Sequence, residues 1–249
     1  MSRLPITVAT WDYDRVRALT DGRVKIEGCD VNYLTMPVEE CFERAFFHGE
    51  FEVAEIGFSP FLIALSRGPT PYVAVPVFLS RMFRHSCVYI RSDRGIDGPA
   101  DLRGKTIGVP EYQMSAVMLF RGYLKDEFGI ETKDINWVQA GLENPGRRDI
   151  YDKNRWLAAS LFKAFLQAKR LADAEFVETT ALKIGLPWIT AEYESTVAAL
   201  GPDFWSYGVE PNRKTLATMA RYSYEQGLSV REVAVDEMFA EGNLSETRV

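Results

Sequence analysis

Few side chains in this sequence combine a type and a setting suited to acid–base or anion-binding chemistry. Glu55 stands inside the apolar run Val53-Ala-Glu-Ile-Gly57, where an unpaired carboxylate is costly or takes up a proton. On a sheet edge it is merely solvated; in a central strand it is a ligand-facing acid or an arginine's partner. His85 follows Arg81 and Arg84 in Ser80-Arg-Met-Phe-Arg-His-Ser86. Imidazole carries protons near neutral pH, and a guanidinium fork fits a carboxylate. The plain alternatives are a hinge histidine bonded to backbone and arginines paired with surface carboxylates. His48, the other histidine, precedes Gly49 and reads as part of a helix cap. A third group follows strands: Trp11, Asp12 and Tyr13; Gly57, Phe58 and Ser59; Tyr112, Gln113, Met114 and Ser115. A helix start preceded by Ser or by a Gly-x-Pro turn offers unpaired N–H groups and a positive dipole end to an anion. Ser59 and Ser115 either cap their helices or serve such a ligand, and their matching places in the two halves favour the ligand.

The elements that must position these residues follow an α/β rhythm of short apolar runs, loops and amphipathic segments. Strands are predicted at Ile6–Ala9, Asp30–Thr35, Phe51–Ile56 and Tyr72–Val77, then, after a restart, at Cys87–Arg91, Thr106–Val109 and Ile135–Val138. Helices are predicted at Arg15–Thr20, at Val38–His48 between Pro37 and Gly49, at Phe61–Ser66 behind a Ser59-Pro60 cap, and at Met114–Phe128 before Gly129. Ala100–Gly104 reads as a short helical turn and Gly141–Arg148 as a loop. Beyond it the spacing predicts only helices, over Asn154–Glu178, Glu192–Leu200 and Arg213–Gln226, with a frayed tail after Gly242. The aromatic sets Phe42-Phe46-Phe47 and Trp156-Phe162-Phe165 have helical spacing and read as core. Glu39 and Glu40 complement a helix dipole.

At 249 residues the chain is one large domain or two small lobes. Its 47% hydrophobic and 26% charged residues suit a globular protein. A net charge of −6 argues against nucleic acid or a membrane surface as partner. Cys29, Cys41 and Cys87 form no CxxC pair, so neither a disulfide framework, a metal site nor an oxidising compartment is indicated. Met1–Thr10 has no apolar leader and no uncharged run is long enough to span a bilayer, so the expected location is cytoplasmic. GxGxxG, Walker A, HExxH and nucleophile-elbow motifs are missing.

Ala100-Asp-Leu-Arg-Gly-Lys-Thr-Ile-Gly-Val-Pro110 resembles the entry into the second lobe of a type II periplasmic-binding-protein fold. Glu55-Ile-Gly-Phe-Ser-Pro-Phe61, Pro76–Ser86, Gly108-Val-Pro-Glu-Tyr-Gln-Met114 and Gly141-Leu-Glu-Asn-Pro-Gly-Arg147 resemble the 4,5-dihydroxyphthalate decarboxylase family, as do Tyr207–Lys214 and Tyr222–Gly227. The likeness covers nearly the whole chain. It implies a two-lobed α/β fold with residues 1–86 as the first lobe, 87–149 as the second, and 150–249 as C-terminal helices returning to the first. Residues near Arg81–Ser86 would cross between the lobes. One departure stands out: a long segment that the family carries between the loop near Arg147 and the helix near Trp156 is replaced by Asp149-Ile-Tyr151. The second lobe is therefore expected to be incomplete, with apolar surface at Ile135–Val138 uncovered.

The resemblance implies decarboxylation, without a cofactor, of an aromatic dicarboxylate such as 4,5-dihydroxyphthalate to protocatechuate and CO2. Its retained carboxylate would be held by Arg84, Ser59 and Ser115, with Arg81 and Asp12 as further substrate-binding candidates. The ring carbon would be protonated by His85 first and Glu55 second, and Trp11 and Tyr112 would stack on the ring. The expected partner is a small aromatic carboxylate, with a homo-oligomer possible. The competing reading is a small-anion-binding protein of a transporter or sensor without catalysis, because the scaffold alone does not fix function.

Overall fold

The computed structural model describes residues 3–139, 156–177 and 186–240. Its first sheet is parallel, in the order β2-β1-β3, from β1 (Leu4–Thr10), β2 (Cys29–Thr35) and β3 (Val53–Ala54). Strand alternation splits the β1 side chains between two cores. Ile6 and Val8 join one with Val16, Leu19 and Ile26. Ala9 joins the other with Met36, Cys41, Ala45 and Phe51. Short α1 (Arg17–Thr20) closes the first core, and α2 (Val38–His48) covers the second and ends at Gly49 in the left-handed region, φ 53°. Gly57, in extended conformation, stands at the cap position of α3 (Phe58–Arg67) after β3.

A second parallel pair joins β4 (Thr106–Val109) to β5 (Asn136–Gln139), with α4 (Ser115–Phe128) between them in sequence. Leu102, Leu124, Ile130 and Ile135 form its small core. The described part is thus α/β, as expected, with two small parallel sheets. No helix among the described residues is long and apolar enough to cross a membrane.

The later helices tie these parts together. α5 (Trp156–Phe176) buries Leu161, Phe162, Phe165 and Ala168 against Ile6 and Val8, and α6 (Ile189–Leu200) lies beside it. α7 (Arg213–Glu225) packs Leu216 and Ala220 on Phe61 and Leu62 of α3. Its far side grips α4, where the Tyr222 hydroxyl donates to Asp126 at 2.6 Å and Arg221 pairs with the same carboxylate at 2.6 Å. The contact is close because residue 122 is glycine: a Cβ there would stand 2.2 Å from the Tyr222 ring. Gly122→Ala is therefore expected to cost about 1–3 kcal/mol of stability through overpacking. Chemical denaturation checks this, and an unchanged midpoint would contradict it.

Several expectations are corrected. Tyr72–Val77 is no strand; only Ala74 bridges to Phe239, and Pro76 removes a ladder donor from the run. Phe51–Ile56 shrinks to two strand residues, although the Glu55 N–H still reaches the Ala9 carbonyl at 2.9 Å. Cys87–Arg91 is no strand either. A 3-10 turn occupies Arg84–Cys87, and Tyr89 is 91% exposed, with no strand paired to it among the described residues. Ser59-Pro60 does not cap α3: the cap position is Gly57, and both residues lie inside the first turn. Phe162 and Phe165 are core as expected, while Phe42 and Phe46 are half-buried. Gly141–Arg148, the outer ends of the Asn154–Glu178 helix and the tail after Gly242 lie outside the described residues. So does the junction at Asp149-Ile-Tyr151. Val138 is 52% exposed.

Candidate functional site

Two clusters gather at the C-terminal edge of the first sheet and the helix starts beside it, where α/β sheets present their ligand sites. The first is built on Glu55. The extended backbone that follows β1 aims the Trp11 N–H at Glu55 Oε2 (3.2 Å), and the Tyr13 hydroxyl donates to Oε1 (2.7 Å). Burial pushes the Glu55 carboxyl above its ordinary range, against the opposing pull of Tyr13, the Trp11 N–H and Arg15. Burial, then the hydrogen bond to Glu55, raise the Tyr13 phenol strongly as well. Arg15 braces the cluster. Its guanidinium lies 4.3 Å over the Tyr13 ring and 4.4 Å over Trp205, donates through Nε to the Leu79 carbonyl at 2.6 Å, and pairs with Asp14 at 2.8 Å. Glu55 thus follows an edge strand yet is not merely solvated. Arg15 also lines a cavity of about 210 Å³ walled by Phe176, Tyr193, Phe204 and Trp205, which includes none of the sequence-predicted residues.

The raised Glu55 pKa carries a stability consequence. The folded chain holds this proton more tightly than the unfolded chain, so the contribution is complete below the ordinary value of 4.5 and is lost as pH rises through the folded value. Glu55→Gln cannot titrate and is expected to flatten that fall in unfolding free energy above pH 4.5. Denaturant titrations across pH check this, and parallel curves for the two proteins would contradict it.

The second cluster joins two helix starts. The Ser59 N–H, in the first turn of α3, donates to Ser115 Oγ, on the first residue of α4, at 2.9 Å. Neither serine caps its own helix. Ser59 is fully buried and its Oγ has no hydrogen-bond partner. The first turns of α3 and α4 therefore meet through the Ser59 N–H, beside the α7 packing described above. Glu55 precedes Ser59 by four residues, so no more than about 14 Å of chain separates the clusters.

Other expected residues lie elsewhere. His85 is exposed, set edge-on against the Tyr123 ring at 4.4 Å on the flank of α4 and 6.4 Å from the Phe83 ring. Arg81 donates to the Ser206 carbonyl at 3.3 Å, and burial lowers its pKa. Arg84, half-buried, makes no ion pair among the described residues, so neither arginine pairs with a surface carboxylate there. Asp12 is exposed, and Trp11 is 42% exposed beside Glu55. Half-buried Tyr112, three residues before Ser115, lies under a guanidinium that sequence reasoning missed, that of Arg121, with 3.8 Å from its central carbon to the ring centroid. The signal was available: Arg121 falls on the helical stripe of Val117, Met118 and Leu124, where a charge is out of place. Among the described residues no three His, Cys, Asp or Glu side chains gather as a metal site would require.

No family model matches the chain. Along its whole length it is 30% identical to 4,5-dihydroxyphthalate decarboxylase of Comamonas testosteroni, which is also covered in full. The chain belongs to the 4,5-dihydroxyphthalate decarboxylase family. A second 4,5-dihydroxyphthalate decarboxylase, from Pseudomonas putida, is 44% identical over 147 residues, 59% of this chain and 57% of that protein. The Comamonas decarboxylase alignment runs over 330 positions against the 249 residues here, so 81 of them face no residue of this chain.

Proposed function

We propose that the chain removes one carboxylate from 4,5-dihydroxyphthalate, giving protocatechuate and carbon dioxide. The observation that carries the reading is a carboxyl biased by burial toward its protonated form, four residues ahead of a junction of two helix N-termini. The retained carboxylate sits at the Ser59–Ser115 junction, where N–H groups, the Ser59 hydroxyl and two dipole ends favour an anion. Trp11 and Tyr112 flank the ring. Glu55 delivers its proton to the ring carbon that bears the departing carboxylate, while the hydroxyl para to it supplies electron density. The carbon–carbon bond then breaks, its electron pair restores the aromatic ring, and carbon dioxide leaves. Glu55, now ionised and steadied by Tyr13 and the Trp11 N–H, regains a proton from solvent.

His85 is the competing acid, and its exposed place beside Tyr123 puts Glu55 ahead of it. In the same reading the scaffold is a two-lobed type II periplasmic-binding-protein-like fold in the cytoplasm. Its lobes are residues 1–86 and 87–149, and residues 150–249 return to the first. Incubating the protein with 4,5-dihydroxyphthalate and following both products tests the reaction. Equal amounts of protocatechuate and carbon dioxide are expected, and quantitative recovery of the substrate would overturn it.

A further inference from the structure

Arg121 is 1% exposed, a formal positive charge inside the molecule. Its Nε donates to Gln226 Oε1 at 2.7 Å and its Nη1 to the Tyr112 carbonyl at 2.8 Å, while Nη2 has no partner. Gln226 is itself fixed by its Nε2 donating to the Met118 carbonyl at 2.9 Å. Among the described residues no carboxylate pairs with Arg121. The guanidinium lies over the Tyr112 ring and 5.7 Å from the Trp137 ring centroid. Side chains on a helix lean toward its N-terminus, and the bond to the carbonyl of Tyr112, three residues ahead of Ser115, holds this one toward the start of α4.

A buried cation without a counter-ion is expensive, and a methionine or leucine would fill the Val117–Met118–Leu124 stripe at lower cost. The charge makes sense if an anion completes it. Packed on one face of Tyr112, the guanidinium also draws electron density away from the other face, which favours stacking by an electron-rich ring.

We infer that Arg121 is a specificity-determining residue, which makes the site at the α3 and α4 N-termini select aromatic dianions over monoanions. The inference rests on the anion site of the proposed function but not on turnover. Charge attraction across a few ångströms of protein is worth about tenfold or more in affinity per negative charge. A dianion therefore gains that factor twice and a monoanion once. Loss of a merely structural support for Tyr112 would weaken both ligands alike.

The test is calorimetric binding of phthalate and benzoate to the unmodified chain and to Arg121→Met, well above the carboxyl pKa values of both ligands. The unmodified chain is expected to prefer phthalate by about tenfold or more, and Arg121→Met to bring the two within about threefold. A preference that survives Arg121→Met in a variant with unchanged circular dichroism would overturn the inference. So would a preference below about threefold in the unmodified chain, which needs no variant to fold. Selective binding of phthalate by a chain that leaves 4,5-dihydroxyphthalate unchanged would refute the decarboxylase reading and leave this one standing; turnover of 4,5-dihydroxyphthalate with unselective binding would do the reverse.

Discussion

Replacing Glu55 by glutamine is expected to lower turnover of 4,5-dihydroxyphthalate by about 10²–10⁴, the usual worth of a positioned general acid. Glutamine keeps the shape, and its one carbonyl oxygen can still accept from the Trp11 N–H while its amide nitrogen donates to the Tyr13 hydroxyl, in place of the two carboxylate oxygens that accept at 3.2 and 2.7 Å. It has no proton acidic enough to give to a ring carbon. KM should stay within a few fold, since the proton matters in the transition state and not in the bound complex. His85→Gln provides the comparison. The imidazole stands outside the Glu55 cluster, edge-on to Tyr123, so its loss should change kcat by less than about threefold. A collapse of kcat in His85→Gln with Glu55→Gln near full activity would give the acid's role to the histidine.

The second large effect is expected at the junction of the two helices. Ser115→Asp places a carboxylate where the substrate's carboxylate binds. The helix itself should tolerate it, because an acidic residue in a first turn complements the dipole and the new oxygen can still accept from the Ser59 N–H. A dianionic substrate meets a like charge within a few ångströms, which costs about 3 kcal/mol at an effective dielectric near 20, or about 10² in affinity. Steady-state kinetics, with near-ultraviolet circular dichroism as a check on folding, measures it. A KM unchanged in a folded Ser115→Asp chain would move the anion site elsewhere.

What could be read from the sequence followed the range of the interactions concerned. α2 between Pro37 and Gly49, and α4 before Gly129, are set by local spacing and by glycines with left-handed φ values of 53° and 62°. Both were predicted nearly to the residue. Glu55 was conspicuous because an acid in an apolar run needs a reason, whereas its reason, Tyr13 and the Trp11 N–H, lies more than forty residues away in sequence. The alternation in Cys87–Arg91 suits a strand, but a strand needs a partner, and periodicity does not show whether one exists. Ser59 and Ser115 were recognised as helix-start residues, yet the bond between them depends on α7 drawing α3 and α4 together, which no local pattern encodes. Arg121 was open to discovery as a charge on an apolar stripe, although only the packing shows that Nη2 lacks a partner.

The measurement that tests the central claim most directly is the fate of 4,5-dihydroxyphthalate incubated with the unmodified protein in deuterium oxide, followed by proton magnetic resonance. Proton transfer to the ring carbon as the carboxylate leaves predicts protocatechuate bearing one deuteron, at the carbon ortho to the remaining carboxylate, with one carbon dioxide released for each. Substrate that binds and is recovered unchanged, or product without a deuteron at that carbon, would contradict it.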